Sequence, residues 1–306
     1  MTTRRIINFM AGRKLAAIFS IVLVLAAIAS LSVKGLVLGL DFTGGTQIEV
    51  GYPEAADLNE IRTQLSGSGF ENPVVVNFGS ESDVLIRMQG KPDAGLADAV
   101  LKSLDPNNEG ALELRRVDYV GPQVGEELRE DGGLGMLAAL AVVMLYVAIR
   151  FQYKFAIGAV VALVHDVIII LGFFSITGLE VDLTVLAAVL AVIGYSLNDT
   201  IVVSDRIREN IRLLRTADLI GVINESLTQT LGRTLITSLT TIFVLVALFV
   251  VGGELIHNFS IALIVGVVIG TYSSIYVAAN ALVMLGMKRE DLLPPEKEGE
   301  EFDGLP

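Results

Sequence analysis

The sequence predicts an α-helical polytopic membrane protein, with six transmembrane helices and a ferredoxin-like α+β extracytoplasmic domain between the first two. Three observations predict it. Hydrophobic residues make up 53% of the 306-residue chain and charged residues only 18%, against about 25% charged in ordinary soluble domains. With a mean hydropathy of +0.65, a soluble globule would leave too much apolar surface in water. Second, six apolar runs of about 20 residues match a hydrocarbon core of ~30 Å. Third, the acidity is confined to one insert and one tail. Residues 34–131 hold 18 acidic and 8 basic side chains, and the last 21 residues hold 7 and 3, within a total charge of −12.

The same arithmetic excludes several classes. Net negative charge and a pI near 4.7 argue against disorder and against a nucleic-acid partner. No cysteine is present, so disulfides, thiolate metal sites and thiol nucleophiles are ruled out. With only two histidines, His165 and His257, a multi-histidine metal centre is not expected. No G-x-x-x-x-G-K-[ST] phosphate loop occurs, so ATP is not bound through that motif. Neither an enzyme nor a bound cofactor is expected.

Residues 1–14 form a basic N-terminus with Arg4, Arg5, Arg13 and Lys14. The first span, 15–33, is longer than the ~7–15 apolar residues of a secretory signal, so it reads as an uncleaved anchor. The insert, 34–131, alternates strand and helix patterns. Thr46–Tyr52 alternates as a strand, and Glu54–Gly67 carries Leu58, Ile61 and Leu65 at helical spacing. Strands follow at Pro73–Phe78 and Asp83–Gln89, then a helix at Asp93–Leu104 and a strand at Ala111–Val120. The order β-α-β-β-α-β is the ferredoxin-like pattern. No convergent acid/base set appears there, so an interaction or lever domain is expected.

The remaining spans read as 132–150, 156–177, 182–203, 235–251 and 259–286, with a basic link at 204–234 and an acidic tail at 287–306. Arg150 and Lys154 sit in one loop, and Arg206, Arg208, Arg212, Arg215 and Arg233 lie in the link or at its end. Gly178–Val181 and Gly252–Asn258 have no Lys or Arg. The positive-inside rule therefore places both termini in the cytoplasm and the insert outside. The arginines of 204–234 suit an amphipathic link lying on anionic membrane lipid.

Ionisable residues inside spans cost about 2.5–3.5 kcal/mol each on insertion scales, so each asks for a reason. Asp199 is the sharpest, flanked by Asn198 and Thr200 and 16 residues after Leu183. It is a candidate proton carrier; the alternative is a neutral aspartic acid that fixes helix packing. Arg233 is its candidate partner, on a broad face with Thr237, Thr240 and Thr241. It can equally snorkel to the membrane surface, and the hydroxyls can equally be a packing face. His165 and Asp166, midway along the third span, are either a relay or an interhelical clamp. Gly266, Gly270, Ser273 and Ser274 read as a small-residue packing face.

Four segments carry a resemblance: Gly39–Thr46 (G-L-D-F-T-G-G-T), Val120–Leu128 (V-G-P-Q-V-G-E-E-L), Gly194–Asn210 and Thr228–Ser238 (T-Q-T-L-G-R-T-L-I-T-S). Together they resemble the SecD/SecF family of bacterial protein-export membrane subunits, of the RND superfamily, from about Gly35 to Arg289. The resemblance implies half of an RND-type bundle, completed by a SecD-like subunit. It implies proton motive force, with protons as the coupling ion, serving late-stage preprotein export at a SecYEG-type channel in the cytoplasmic (inner) membrane. A small accessory membrane subunit is a further implied partner. It assigns the relay to Asp199 and Arg233. Gly44, Gly45, Gly121 and Pro122 are candidate hinges between the membrane helices and the outer domain. A stand-alone exporter of small molecules or lipids and a passive structural subunit are the competing readings.

Overall fold

The computed structural model describes residues 6–70, 73–78, 80–88, 95–106, 112–214, 218–288 and 291. Arg4, Arg5, Gly79, Gln89, Asp93, Ala111, Arg215, Arg289 and nearly all of the acidic tail lie outside the described residues. After a 3-10 turn at Phe9–Gly12, helix α1 runs Arg13–Val33 and strand β1 is Val37–Leu38. A short helix α2, Leu40–Thr43, precedes the outer domain.

That domain contains β2 (Gly45–Gly51), α3 (Leu58–Gly67), β3 (Val74–Phe78), β4 (Ser80–Met88), α4 (Leu96–Leu104) and β5 (Glu113–Val120). The strands form one sheet in the order β3-β4-β2-β5, every neighbouring pair antiparallel. Alternation explains the core. Ile48 and Val50 from β2, Val84 and Ile86 from β4, and Val75 from β3 turn inward against Ile61 and Leu65 of α3 and Val100 of α4. Asp57 caps α3 by accepting from the Asn59 and Glu60 amides, which satisfies two otherwise orphaned donors.

The membrane part follows as α5 (Pro122–Arg150), α6 (Tyr153–Thr177), β6 (Glu180–Val181), α7 (Leu183–Leu213), α8 (Leu219–Val251) and α9 (His257–Ser273). A π-helical turn, Ser274–Ala278, leads into α10, Ala279–Met284. Among the described residues six helices are long and apolar enough to cross a membrane, the last running through that turn. Their burial is uneven. Over their most apolar windows α6 and α7 are 56% and 44% buried, whereas α1 and α5 are 11% and 6%. Helices α6, α7 and α9 therefore make the interior, and α1, α5 and α8 sheathe it.

Close backbone approach sets this packing. A Cβ on Gly266 of α9 would lie 2.1 Å from Val192 Cγ2 of α7, and one on Gly172 of α6 would lie 2.1 Å from Ala27 Cβ of α1. Only glycine admits such contacts, the small-residue logic of membrane helices. The small-residue face at Gly266 and Gly270 thus packs inside the chain, against α7.

Two features differ from the sequence expectation. The stretch 204–234 is not a separate link. It is the end of α7 and the start of α8, joined at residues 214–218. Ile207, Ile211, Val222, Ile223 and Leu227 pack together there, and Asn210 Nδ2 donates to Ser226 Oγ at 2.8 Å and Gln229 Oε1 at 2.9 Å. Hydropathy falls in this stretch, but the helical period of its apolar residues continues. Second, β1 and β6 pair in parallel, Val37 opposite Glu180 and Leu38 opposite Val181, where the sequence suggests a loop at 178–181 and no element at 37–38. Helix α5 also starts earlier than its apolar run, at Pro122, because proline suits the first helical position.

Charged contacts tie the parts together. Arg87 of β4 pairs with Glu180 of β6 and donates to Gln47 Oε1 at 2.9 Å. Asp41 Oδ2 accepts from the Leu183 amide at the head of α7. Near the C-terminus Asp291 accepts from Lys154 Nζ at 2.6 Å. That bond, with the Lys288 amide, holds the Asp291 carboxyl below the usual carboxylate range.

Candidate functional site

Two buried carboxyls occupy the interior where α6, α7 and α9 meet. Asp199, midway along α7, is 8% exposed. Its Oδ1 accepts from Thr234 Oγ1 of α8 at 2.8 Å, and its Oδ2 accepts from Ser274 Oγ at 2.8 Å. It has no ion pair among the described residues. Asp166 of α6 is more enclosed. Its Oδ2 accepts from Ser196 of α7 at 2.5 Å and from Ser273 of α9 at 2.7 Å, while Oδ1 lies 2.9 Å from His165 Nδ1.

Consecutive residues, Ser273 and Ser274, therefore serve the two different acids. The π-helical turn begins at Ser274. Such a turn is a local register anomaly, common where function demands one. Adjacent helical residues point about 100° apart, so the two hydroxyls reach acids on two neighbouring helices, α6 and α7. The polar region continues beside Asp199, where Tyr195 Oη donates to Ser238 Oγ at 3.1 Å and Ser238 meets Thr271 at 2.7 Å. Beside the two acids, buried Thr200 Oγ1 and His165 Nε2 have no hydrogen-bond partner among the described residues.

The remaining sequence candidates divide. His165 and Asp166 are brought together, and Thr200 is buried next to Asp199 on α7. Asn198 faces outward. Arg233 is exposed and makes no contact with Asp199; Thr234, the next residue, occupies that place. Thr237 is also exposed and Thr241 half-buried, and their hydroxyls donate to carbonyls of their own helix. The expected face of Arg233, Thr237 and Thr241 exists, then, but points away from the carboxyl in this arrangement. The direct donors, Thr234 and Ser274, and the Ser196–Ser273 pair on Asp166 were not singled out as acid partners in the sequence. Hydroxyls recurring within otherwise apolar helices were the only signal.

The hinge candidates converge. Gly45 pairs with Val120, so both connections to the outer domain meet at one point. Gly44 has φ +67°, and a Cβ there would lie 2.8 Å from Pro122 Cα. Gly121 caps α5 from the extended region, directly before Pro122.

Comparison with known proteins places this architecture. Residues 99–288 match the C-terminal family of the protein export membrane proteins SecD/SecF, and residues 29–52 match the SecD/SecF GG motif. The protein translocase subunit SecF of Vibrio alginolyticus is 50% identical, covering 100% of this chain and 99% of that protein. The SecF subunit of Pseudomonas aeruginosa is 53% identical, covering 95% of each. The crystal structure of SecDF, a translocon-associated membrane protein from Thermus, superposes with a TM-score of 0.83 at 35% identity. A SecDF structure in a super-membrane-facing form gives 0.71 at 34%. Both matches cover 94% of this chain, which spans 39% of each SecDF chain. The chain thus belongs to the SecD/SecF family of protein export membrane proteins, as a SecF-like, non-catalytic transport subunit.

Proposed function

We propose that this chain is the SecF half of a proton-driven export unit, in which Asp199 gains and loses the coupling proton and Arg233 answers its charge. The observation that carries the reading is the position of Asp199: buried midway along a membrane helix, bonded to two hydroxyls and without a cation among the described residues. A carboxylate accepts at both oxygens. Once protonated, it presents one donor, and one of the two hydroxyls must switch from donating to accepting and swing its own hydrogen to another partner. Thr234 sits on α8 and Ser274 follows α9, so that change is felt between helices.

Arg233 fits as the alternative partner. Adjacent helical residues are separated by about 100° around the axis, since a turn holds 3.6 residues. Rotating α8 by one such step brings Arg233 where Thr234 now stands. The ionised carboxylate favours the arginine, and the neutral acid favours the threonine. One charge crossing 100 mV releases about 2.3 kcal/mol, enough to bias a two-state rotation roughly fiftyfold.

The remaining assignments belong to the same reading. The β-α-β-β-α-β order and the sheet order β3-β4-β2-β5 support a ferredoxin-like outer domain. Six helices support half of an RND-type bundle. The exposed face of α8, with Arg233, Thr237 and Val244, suits a SecD-like subunit. Family membership implies work beside a SecYEG-type channel on a translocating preprotein. Arg150 at the end of α5 and Arg206, Arg208 and Arg212 at the end of α7 then face the cytoplasm with both termini. Gly44, Gly45, Gly121 and Pro122 serve as the joint through which helix movement reaches the outer domain.

The test is translocation into vesicles carrying the assembled complex under an imposed proton gradient. Asp199→Asn is expected to assemble normally and lose the gradient-dependent part of transport. Undiminished gradient-driven transport by that variant would reduce the chain to a passive scaffold.

A further inference from the structure

A cavity of about 430 Å³ opens between the C-terminal ends of α5 and α7, lined by Arg150, Asp205, Arg208, Glu209, Arg212 and Leu213. Its charges do not balance. Arg150 Nη2 donates to Asp205 Oδ2 at 2.8 Å. Arg206 Nη1 donates to Glu209 Oε2 at 2.6 Å. Each acid therefore has its own cation, and two arginines are left over. Neither Arg208 nor Arg212 has an ion pair among the described residues, and Arg208 Nε is buried without a hydrogen-bond partner. Four residues apart on α7, their side chains share one side of the helix.

The apolar surface leading to this cavity is equally uneven. Helix α5 exposes Val142, Leu145 and Ile149, one helical stripe that ends at Arg150, and Leu213 is exposed at the cavity rim. An oily stripe thus runs along a membrane helix to Ile149, the neighbour of Arg150 on the wall of this basic cleft. That cleft lies where the apolar run of α5 gives way to charge, at the level of the bilayer surface.

We propose that this cavity binds the phosphate of an anionic glycerophospholipid, whose acyl chains lie along the α5 stripe. Guanidinium forks match phosphate oxygens in pairs. The leftover charge attracts anionic headgroups, and the stripe removes acyl chain from nothing more polar than its own medium. A free phosphate ion or an acidic protein segment would use the arginines but not the stripe.

The chain contains no tryptophan, so Leu213→Trp supplies a single fluorescent reporter at the rim. The full chain is reconstituted in phosphatidylcholine vesicles containing either brominated phosphatidylglycerol or brominated phosphatidylcholine at equal mole fraction. The anionic quencher is expected to quench more strongly. Arg208→Gln and Arg212→Gln each lower that preference by roughly fivefold, and lysine at either position retains most of it. Arg212 is exposed, so its variant reports even if Arg208→Gln folds poorly. Excess inorganic phosphate in the buffer leaves the preference intact. Equal quenching by the two lipids, an unchanged preference in Arg212→Gln, or displacement by inorganic phosphate overturns the proposal. Proton-driven export plays no part in this readout, so the two readings stand or fall separately.

Discussion

At Asp199 a single residue step decides the chemistry. Thr234 reaches the carboxyl and Arg233, one position earlier, points outward. Ser274 supplies the other hydrogen bond. A buried donor of this kind matters because its removal leaves an acceptor unsatisfied, at a cost of about 1–3 kcal/mol. Ser274→Ala is therefore expected to lower gradient-driven transport by about fivefold or more, with the complex still assembled. Ser260→Ala is the control, since that equally buried hydroxyl donates only to the Ile256 carbonyl. Equal transport by the two variants would remove Ser274 from the site. Asp199 itself was legible in the sequence, because a carboxyl in an oily run stands out. Its partners were not. Serine and threonine cost little in a helix, where they bond back to their own carbonyls, so their presence does not say which of them face an acid. Nor does spacing tell whether Arg233 or Thr234 faces the neighbour, since helix rotation is set by packing.

The helices were legible as elements but not in their ends. Hydropathy gave all six spans, yet it truncated α5, α7 and α8 where polar side chains begin, although Ile207, Ile211 and Leu227 continue the buried stripe. Packing partners were hidden for a similar reason. Glycine in a span shows that something approaches, not what. The contact of Gly172 with Ala27 is the sharper case, because a Cβ there would also lie 2.6 Å from the Ala27 Cα. Backbone cannot step aside as a side-chain tip does, so α1 must move off α6. Gly172→Ala is expected to destabilise the folded chain by about 1–3 kcal/mol, read as a lower thermal midpoint in detergent. Pairing it with Ala27→Gly should recover the part of the loss owed to the Ala27 Cβ, while the 2.6 Å approach to the Ala27 Cα remains; that partial recovery is a coupling diagnostic of direct contact. Additive losses in the double variant would show that the two helices do not meet there.

On the scale of the molecule, two of the contacts among the described residues join the outer domain to the membrane part. One is the Gly45–Val120 pairing beside Pro122. The other is the contact of Arg87 with Glu180 on the segment feeding α7. The second couples the domain to the helix that carries Asp199. Both side chains are about one-fifth exposed, so the pair contributes modestly, of order 0.5–1 kcal/mol. Glu180→Gln is expected to raise amide exchange at Leu38 and Val181 by roughly two- to fivefold, and the reversed pair, Arg87→Glu with Glu180→Arg, to bring it back. Unaltered exchange in Glu180→Gln would mean that the ladder holds without the ion pair. The order of strands and helices in this domain was readable from alternation alone. The β1–β6 pairing was not, because two-residue strands far apart in the chain leave no periodic trace.

That pairing also constrains how the protein is born. Val37 and Leu38 leave the ribosome long before Glu180 and Val181, with the whole outer domain and two membrane helices still to be made. At about 5–20 residues per second, the earlier strand waits roughly 7–28 s for its mate. Throughout that delay its backbone amides must be satisfied by water or by a chaperone, and the stitch closes only after the third helix has been threaded across the bilayer.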